Sequence, residues 1–374
     1  MKALVDGKKA AILGVGRMGQ AICYAMNKLG YYVIGVDSNK DAVKPFREHV
    51  KGIGGSFYYT DENKSWDRAL TFEKPDVVIS SLPYHQTEKL AMWCIDRGFR
   101  YCDLGGKVDV SHRINEYAKD KAKKPVFTDL GLAPGWVNIL AEYGCKQIHK
   151  NIDSVKMMVG GLPMVKVNHP LDYVVTWSID GLINEYKDNC EILQEGKIKI
   201  VKGMDGLEHV SCGVLGDLEA FYTSGGASHT IHSMKDKGAR NCVYKTLRYK
   251  GHRDVVRFLM ENQSEDCVRE AFERGCRDTG EVGDVVLIKV FVKGDDVEWK
   301  KELAVFGRRK GFSAMQKATA FSAASAASLM AEGVFDKDMG QRRDYWIPYP
   351  KNLSYNHIPY DKFRERMEQL GVEA

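Results

Sequence analysis

A chain of 374 residues with 44% hydrophobic and 28% charged residues is long enough for two cores and too apolar for extended disorder. Its net charge of +5 is small, with bases dispersed among acids, which argues against nucleic-acid binding, and no run approaches the roughly eighteen apolar residues of a membrane span. Nine cysteines without a C-x-x-C pair predict reduced thiols and no metal site, and the charged stretch Met1–Lys9 is too short for a secretory leader, so a cytoplasmic protein is expected.

The first apolar run, Ala10–Leu13, feeds into Gly14-Val15-Gly16-Arg17-Met18-Gly19 and then a helical pattern. In this G-x-G-x-x-G turn Gly14 permits the tight exit from the strand, Gly16 lets the backbone approach a pyrophosphate and Gly19 lets helix and sheet pack closely. Arg17 and Met18 open the helix whose free N–H groups favour the phosphates. A second run, Tyr32–Val36, ends at Asp37, about twenty residues on, where a carboxylate accepts ribose hydroxyls and disfavours a 2′-phosphate. NAD is the expected cofactor, although Lys40 partly offsets the charge. By itself Asp37 reads equally well as a solvated strand end.

Further strands are predicted at Gly55–Tyr59, Val77–Leu82, Arg100–Leu104 and Pro125–Phe127. Helices are predicted at Gln20–Leu29, Asp41–Val50, Trp66–Phe72, Thr87–Arg97 and Arg113–Lys121. This alternation predicts an α/β fold, a Rossmann doubly wound parallel sheet. Ligands in such sheets sit beyond the carboxyl ends of the strands, which selects Ser81, Leu82, Pro83 and His85 after the fourth strand and Asp103, Gly105 and Lys107 after the fifth.

Beyond the turn Thr128–Gly135 the pattern changes. After a helix at Trp136–Ile148, alternation predicts strands at Ser154–Val159, Leu171–Trp177, Lys197–Val201, Val285–Val292 and Val297–Phe306, hence a second α+β domain with a largely antiparallel sheet. Gly160-Gly161-Leu162-Pro163 and Ser224-Gly225-Gly226 read as turns or as positions of close approach. A helix dense in small residues, Phe312–Met330, is expected to return to the first domain, with the tail from Met339 wrapping its surface and extended chain at Pro348–Pro350 and Pro359-Tyr360. The charged run Asp361–Glu368 reads as a solvated helix face.

With these motifs, the chain resembles the saccharopine dehydrogenase-like family, most closely its lysine 6-dehydrogenase branch. The resemblance is carried by the glycine turn, Asp103–Gly106, Gly131-Leu132-Ala133-Pro134-Gly135-Trp136 through Ala141, and Gly160–Pro163. It continues through Trp177-Ser178 with Gly181–Tyr186, Leu218–Phe221 with Thr223 and Gly225-Gly226, and Tyr244–His252, so that it spans residues 10 to 330. Family members that make or cleave saccharopine carry an acid near Ala133 and a cysteine near Val159, and this chain departs from them at both places. Lys107 departs from the smaller polar residue expected after the double glycine.

The resemblance implies a dinucleotide-binding domain at 1–133, a substrate-binding and oligomerisation domain at 134–311 and a returning segment at 312–374. It also implies a homo-oligomer acting on a small amino-acid substrate. The implied reaction is oxidative deamination of the ε-amine of L-lysine with NAD. Saccharopine- or carboxynorspermidine-type C–N bond chemistry, and a non-catalytic dinucleotide-binding sensor or scaffold, are the alternatives.

Hydride departure from an amine carbon requires a neutral nitrogen, so a base or a desolvated amine site is needed. His85, Lys107 and His252 are the proton-transfer candidates, although the position of His85 favours a helix cap over a base. Arg248 is the candidate clamp for the substrate carboxylate, against the alternative of an inter-strand ion pair. Trp177, Ser178, Glu219 and Thr223 are candidate pocket residues, although a buried tryptophan is more often core than pocket wall. Cys102, inside a strand, reads as a small hydrophobe rather than a nucleophile.

Overall fold

The computed structural model describes residues 7–61, 66–148, 151–280, 282–307, 311–336 and 353–374. It divides into two units, Met1–Trp136 with Ala318–Ala374, and Val137–Lys317.

The first unit runs β1 (Lys9–Leu13), α1 (Arg17–Lys28), β2 (Tyr32–Asp37), α2 (Val43–His49), β3 (Gly55–Tyr59), α3 (Trp66–Glu73), β4 (Val77–Ser80), α4 (Tyr84–Arg97), β5 (Tyr101–Asp103), α5 (Val108–Lys121) and β6 (Val126–Phe127). All six strands are parallel, in the order β3-β2-β1-β4-β5-β6. That is the doubly wound arrangement, with its topological switch point between β1 and β4. The inner strands are apolar runs because helices cover both faces; every residue of β4 and β5 is buried, whereas the edge strand β3 has no buried residue. Gly98, in the left-handed region at φ 71°, ends α4, whose last carbonyls its N–H helps to satisfy.

The second unit contains α6 (Trp136–Gln147), β7 (Ile152–Pro163), α7 (Ile179–Lys187), β8 (Cys190–Gln194), β9 (Lys197–Val201), β10 (Glu208–Cys212), β11 (Gly216–Tyr222), α8 (Thr230–Asp236), β12 (Asn241–Tyr249), α9 (His252–Asn262), α10 (Glu265–Gly275), β13 (Asp284–Gly294), β14 (Glu298–Phe306) and α11 (Ala314–Gln316). Its sheet follows the order β10-β11-β12-β7-β13-β14, with β8 pairing β12 and β9. Pairing is antiparallel except at the centre, where β12 runs parallel to β7. Leu218, Ala220, Leu247, Tyr249, Val285 and Leu287 from the strands pack with Leu182, Val256 and Phe272 from the helices in one core.

A π-helical turn at Lys317–Phe321 follows α11, and α12 (Ser322–Ala331) and α13 (Tyr360–Gln369) belong again to the first unit. Every residue of α12 is buried. Its small side chains allow close approach: the Tyr31 hydroxyl donates to the Ser328 carbonyl at 3.0 Å and the Ser322 hydroxyl to the Gly131 carbonyl at 3.0 Å. The π turn interrupts what the sequence presents as one helix.

Several sequence expectations need correction. Leu171–Trp177 alternates in sequence but forms no strand, and its burial does not alternate, since Asp172 and Thr176 are buried as well. Val175 N–H donates to the Cys276 carbonyl, and Leu171, Tyr173 and Val175 join the core without a ladder, the backbone turning at Asp172, whose φ is 48°. Gly160 and Gly161 do not make a turn; they lie inside β7. A Cβ on Gly160 would stand 2.7 Å from Leu247 Cβ, and one on Gly161 2.3 Å from Met315 Cε, so close packing explains both glycines. Strands β8, β10, β11 and β12 fall where no strand was expected. The helix over Asp361–Glu368 is solvated on one face only, since Phe363 and Met367 are buried. Residues 339–352, with Pro348–Pro350 among them, lie outside the described residues. No helix among the described residues is long and apolar enough to cross a membrane.

Candidate functional site

At the switch point, β1 ends in the glycine turn. Gly14 has φ 86°, and a Cβ there would lie 2.7 Å from the Ser81 carbonyl oxygen and 3.2 Å from the Leu82 side chain. Gly14, Ser81 and Leu82 therefore pack against one another, as residues after β1 and β4 should. Gly19 is closer still, since its Cβ would stand 1.8 Å from the Gly14 carbonyl oxygen. Gly16 differs: it is exposed, and a Cβ would meet nothing within 4 Å. The turn is thus tight where the chain packs on itself and open where a diphosphate would approach. The first turn of α1 carries no acid, and Arg17 is exposed there, which fits an anion at the helix N-terminus.

Asp37, at the end of β2, accepts from Val15 N–H at 2.5 Å and from Asn39 N–H at 2.7 Å. One oxygen serves each bond, so lone pairs remain on both for ribose hydroxyls. Lys40 does not pair with Asp37; its ammonium lies 4.7 Å over the Tyr59 ring.

Beyond β4, Pro83 precedes α4, and Tyr84 and His85 form its first turn. His85 is exposed, its Nε2 3.3 Å from Gln86 Nε2. Lys107, before α5, holds its ammonium 5.8 Å from the Tyr84 ring, which meets the His85 ring edge-on at 5.9 Å. Tyr84 thus joins two residues singled out separately, and sequence reasoning passes over it in spite of its place directly after the strand. Asp103 is buried, and its contacts are all internal: Gly105 N–H, Asp129 N–H and the Tyr101 hydroxyl. Cys102 is buried in β5 and its thiol is pushed far up by that burial, so it offers no thiolate.

In the second unit, Arg248 lies on β12 beside Glu219 of β11, on the face that also carries Thr246 and Phe221. It is 3% exposed. Its Nε donates to the Tyr186 hydroxyl at 2.8 Å and its Nη1 to the Leu247 carbonyl at 3.0 Å, while Nη2 stands 3.7 Å from the Glu185 carboxylate. The guanidinium lies 4.8 Å over Tyr173 and 5.7 Å from the centre of the Tyr186 ring. Burial works against its charge, but Tyr186, Tyr173 and Glu185 hold its pKa above the ordinary arginine value. The Thr246 hydroxyl donates to the same oxygen of Glu185 and pairs with Thr223 at 2.8 Å. Trp177 Nε1 donates to the Tyr173 hydroxyl at 3.1 Å, so Trp177 and Thr223 both belong to this network.

The other candidates of this unit take structural positions. His252 is buried; its Nδ1 lies 2.7 Å from the Leu171 carbonyl and its Nε2 3.0 Å from the Tyr186 hydroxyl. Burial first, then the Arg248 charge, push its pKa down to about 3. It is a neutral histidine with both nitrogens committed, and a poor proton carrier. Glu219 accepts from Gly251 N–H at 3.1 Å and Arg253 N–H at 2.7 Å and so caps α9. The exposed Ser178 caps α7 by accepting from Gly181 N–H. Glu185, Tyr173 and Tyr186 are the site residues that sequence reasoning missed, because nothing local distinguishes them from an ordinary helix and coil.

Comparison with known proteins adds a second line of observation. The chain matches the family model of the saccharopine dehydrogenase NADP binding domain over residues 10–127 and that of the saccharopine dehydrogenase C-terminal domain over residues 131–371. It is 24% identical over 192 residues to saccharopine dehydrogenase [NADP(+), L-glutamate-forming] of Schizosaccharomyces pombe, a match covering 50% of this chain and 42% of that protein. It is 30% identical over 135 residues to the mitochondrial alpha-aminoadipic semialdehyde synthase of Rattus norvegicus, covering 35% of this chain and 14% of that one. The chain thus spans less than half the length of these curated relatives. A solved structure of apo saccharopine dehydrogenase (L-Glu forming) from Saccharomyces cerevisiae superimposes with a TM-score of 0.73, at 15% identity and over 98% of both chains. At that identity the likeness is one of fold.

Proposed function

The chain belongs to the saccharopine dehydrogenase family, and within it we propose an NAD-dependent amino-acid dehydrogenase. Its reaction would convert L-lysine, NAD and water to 2-aminoadipate 6-semialdehyde, ammonia and NADH, the semialdehyde then cyclising to piperideine-6-carboxylate. The first unit would hold the dinucleotide and the second the amino acid, in a cytoplasmic homo-oligomer.

One observation carries the choice of substrate: among the described residues Arg248 is the single buried arginine. One such guanidinium matches the one carboxylate of lysine, whereas saccharopine carries three. Ala133 and Val159 support the same reading, since they stand where the resemblance places an acid and a cysteine in saccharopine-handling members. The carboxylate of Asp37 supports NAD over NADP, because a 2′-phosphate beside it brings like charges together.

When bound, the nicotinamide accepts the hydride from the ε-carbon. The chain supplies the rest. Arg248, stiffened by Tyr173 and Tyr186, takes the α-carboxylate, and Thr246 keeps the competing Glu185 carboxylate hydrogen-bonded. His85 and Lys107, both exposed after the strands, are the groups proposed to take the proton of the ε-ammonium. His252 is not among them, since both its nitrogens are engaged.

Saccharopine chemistry with NADP is the second reading, favoured by the names of the relatives. Mass spectrometry of the products decides between the two. Ammonia and piperideine carboxylate formed from lysine and NAD alone support the proposal. Dinucleotide turnover that requires both lysine and 2-oxoglutarate overturns it.

A further inference from the structure

Arg248 and Glu185 stand side by side without closing on each other. The guanidinium Nη2 lies 3.7 Å from Glu185 Oε1, beyond hydrogen-bond length. Of the N–H donors of Arg248, the one on Nε goes to the Tyr186 hydroxyl and one on Nη1 to the Leu247 carbonyl, so Nη2 makes no hydrogen bond among the described residues. On the carboxylate, the Thr246 hydroxyl and the approach of Arg248 both fall on Oε1, and Oε2 makes no hydrogen bond among the described residues. Glu185 is also where this network meets solvent: its side chain is 12% exposed, whereas Arg248, Thr246, Tyr173 and Tyr186 are buried. A buried cation thus keeps donors in reserve beside an anion that keeps an oxygen in reserve, and native interiors rarely leave such groups without a purpose.

We propose that Glu185 holds the α-ammonium of the substrate and forms with Arg248 a clamp for the zwitterionic end of an α-amino acid, so that the reacting carbon lies at the other end of the molecule. The clamp rests on the reading of the second unit as the amino-acid site, and it applies to lysine and to the lysine end of saccharopine alike. In an α-amino acid the nitrogen and the carboxylate carbon are bonded to the same atom and lie about 2.5 Å apart. A guanidinium that takes the carboxylate therefore has the ammonium beside it, and two cations at that range repel unless an anion stands next to them. Glu185 is the carboxylate in that place. Glu219, the cross-strand neighbour of Arg248, is committed elsewhere, since its two oxygens accept from Gly251 and Arg253 N–H. Asp172, also buried, faces Lys166 and His169 at 3.8 Å each. Arg248 and Glu185 together are neutral, as is the amino-acid end they receive, so binding buries no net charge.

Isothermal titration of the full chain with NADH, and separately NADPH, present measures amino-acid binding without turnover. The paired ligands are L-lysine and 6-aminohexanoate, which is lysine without its α-amine. Wild type is expected to bind L-lysine about ten- to a hundredfold more tightly. Glu185→Gln keeps the length of the side chain and an acceptor for the Thr246 hydroxyl but not the charge. It should lose about tenfold in L-lysine affinity and hold 6-aminohexanoate within about twofold of wild type, so that most of the preference disappears. A wild type that binds the two ligands equally overturns the clamp and leaves the amino-acid site standing. A Glu185→Gln variant that weakens both ligands to the same extent makes Glu185 a mere support for Arg248, and that also overturns it. A wild type that binds neither ligand nor saccharopine removes the amino-acid reading and the clamp with it. If the glutamine variant does not fold, Glu185→Asp, which keeps the charge and draws it back by one methylene, takes its place: the preference for L-lysine should fall by about threefold or more, and an unchanged preference refutes the proposal.

Discussion

Replacing Arg248 by alanine tests the second unit in two independent ways. The guanidinium is buried, gives hydrogen bonds to the Tyr186 hydroxyl and the Leu247 carbonyl, and faces the Glu185 carboxylate at 3.7 Å. Removing one partner of a fully buried ion pair costs about 3–5 kcal/mol, because the other charge is left in a poor solvent. Here the separation exceeds hydrogen-bond length, Glu185 keeps the Thr246 hydroxyl, and its side chain is 12% exposed. We therefore expect a loss of about 2–3 kcal/mol, read from urea unfolding at pH 7. The second effect is on substrate. If the guanidinium also holds the amino-acid carboxylate, the loss of a charge-assisted contact raises the KM for the amino acid roughly ten- to a hundredfold and leaves that for the dinucleotide alone. Arg248→Lys, which keeps the charge but not the fork, should fall between. The two measurements separate the arguments. Unfolding within about 0.5 kcal/mol of wild type refutes the buried-pair reasoning, whereas lost stability with an unchanged substrate KM makes Arg248 purely structural.

Asp37→Ser should narrow the preference for NAD over NADP, measured as the ratio of the two kcat/KM values; a wild type that uses NADP more efficiently refutes the role given to Asp37. His252 has a folded pKa of about 3 against about 6.5 unfolded, so the unfolded chain takes up the proton first. Its contribution is complete above pH 6.5 and is lost as pH falls towards 3, up to roughly 3–5 kcal/mol, and His252→Gln should flatten the acid limb of stability against pH. Gly160→Ala places a methyl 2.7 Å from Leu247 Cβ and 2.9 Å from the Leu247 carbonyl oxygen and should cost about 1–3 kcal/mol. Gly213→Ala, with nothing within 4 Å, should stay within about 0.5 kcal/mol in the same denaturation series.

The first sheet was legible because its information is local. Runs such as Ala10–Leu13 and Val77–Ser80 are apolar on both faces, a glycine turn follows the first, and the right-handed crossover leaves few topologies open. Fold class and family could be read at that level. The second sheet was only partly legible. Alternation reports which side of a segment is buried, not which backbone it bonds to; Leu171–Trp177 alternates and has no ladder, while β12 carries the buried Lys245 and Arg248 and lies in the middle of the sheet, parallel to β7.

The chemistry divides in the same way. A single stretch of sequence contains the turn, the helix N-terminus and the spacing to Asp37, so candidate residues for a dinucleotide site can be proposed from the order of amino acids alone. What Arg248, His252, Glu219 and Asp103 do depends on partners far along the chain: Tyr186 is 62 residues from Arg248, Leu171 is 81 from His252, Gly251 is 32 from Glu219 and Asp129 is 26 from Asp103. A buried polar group must be satisfied by whatever the fold brings to it, and that choice is made only when the chain is closed upon itself.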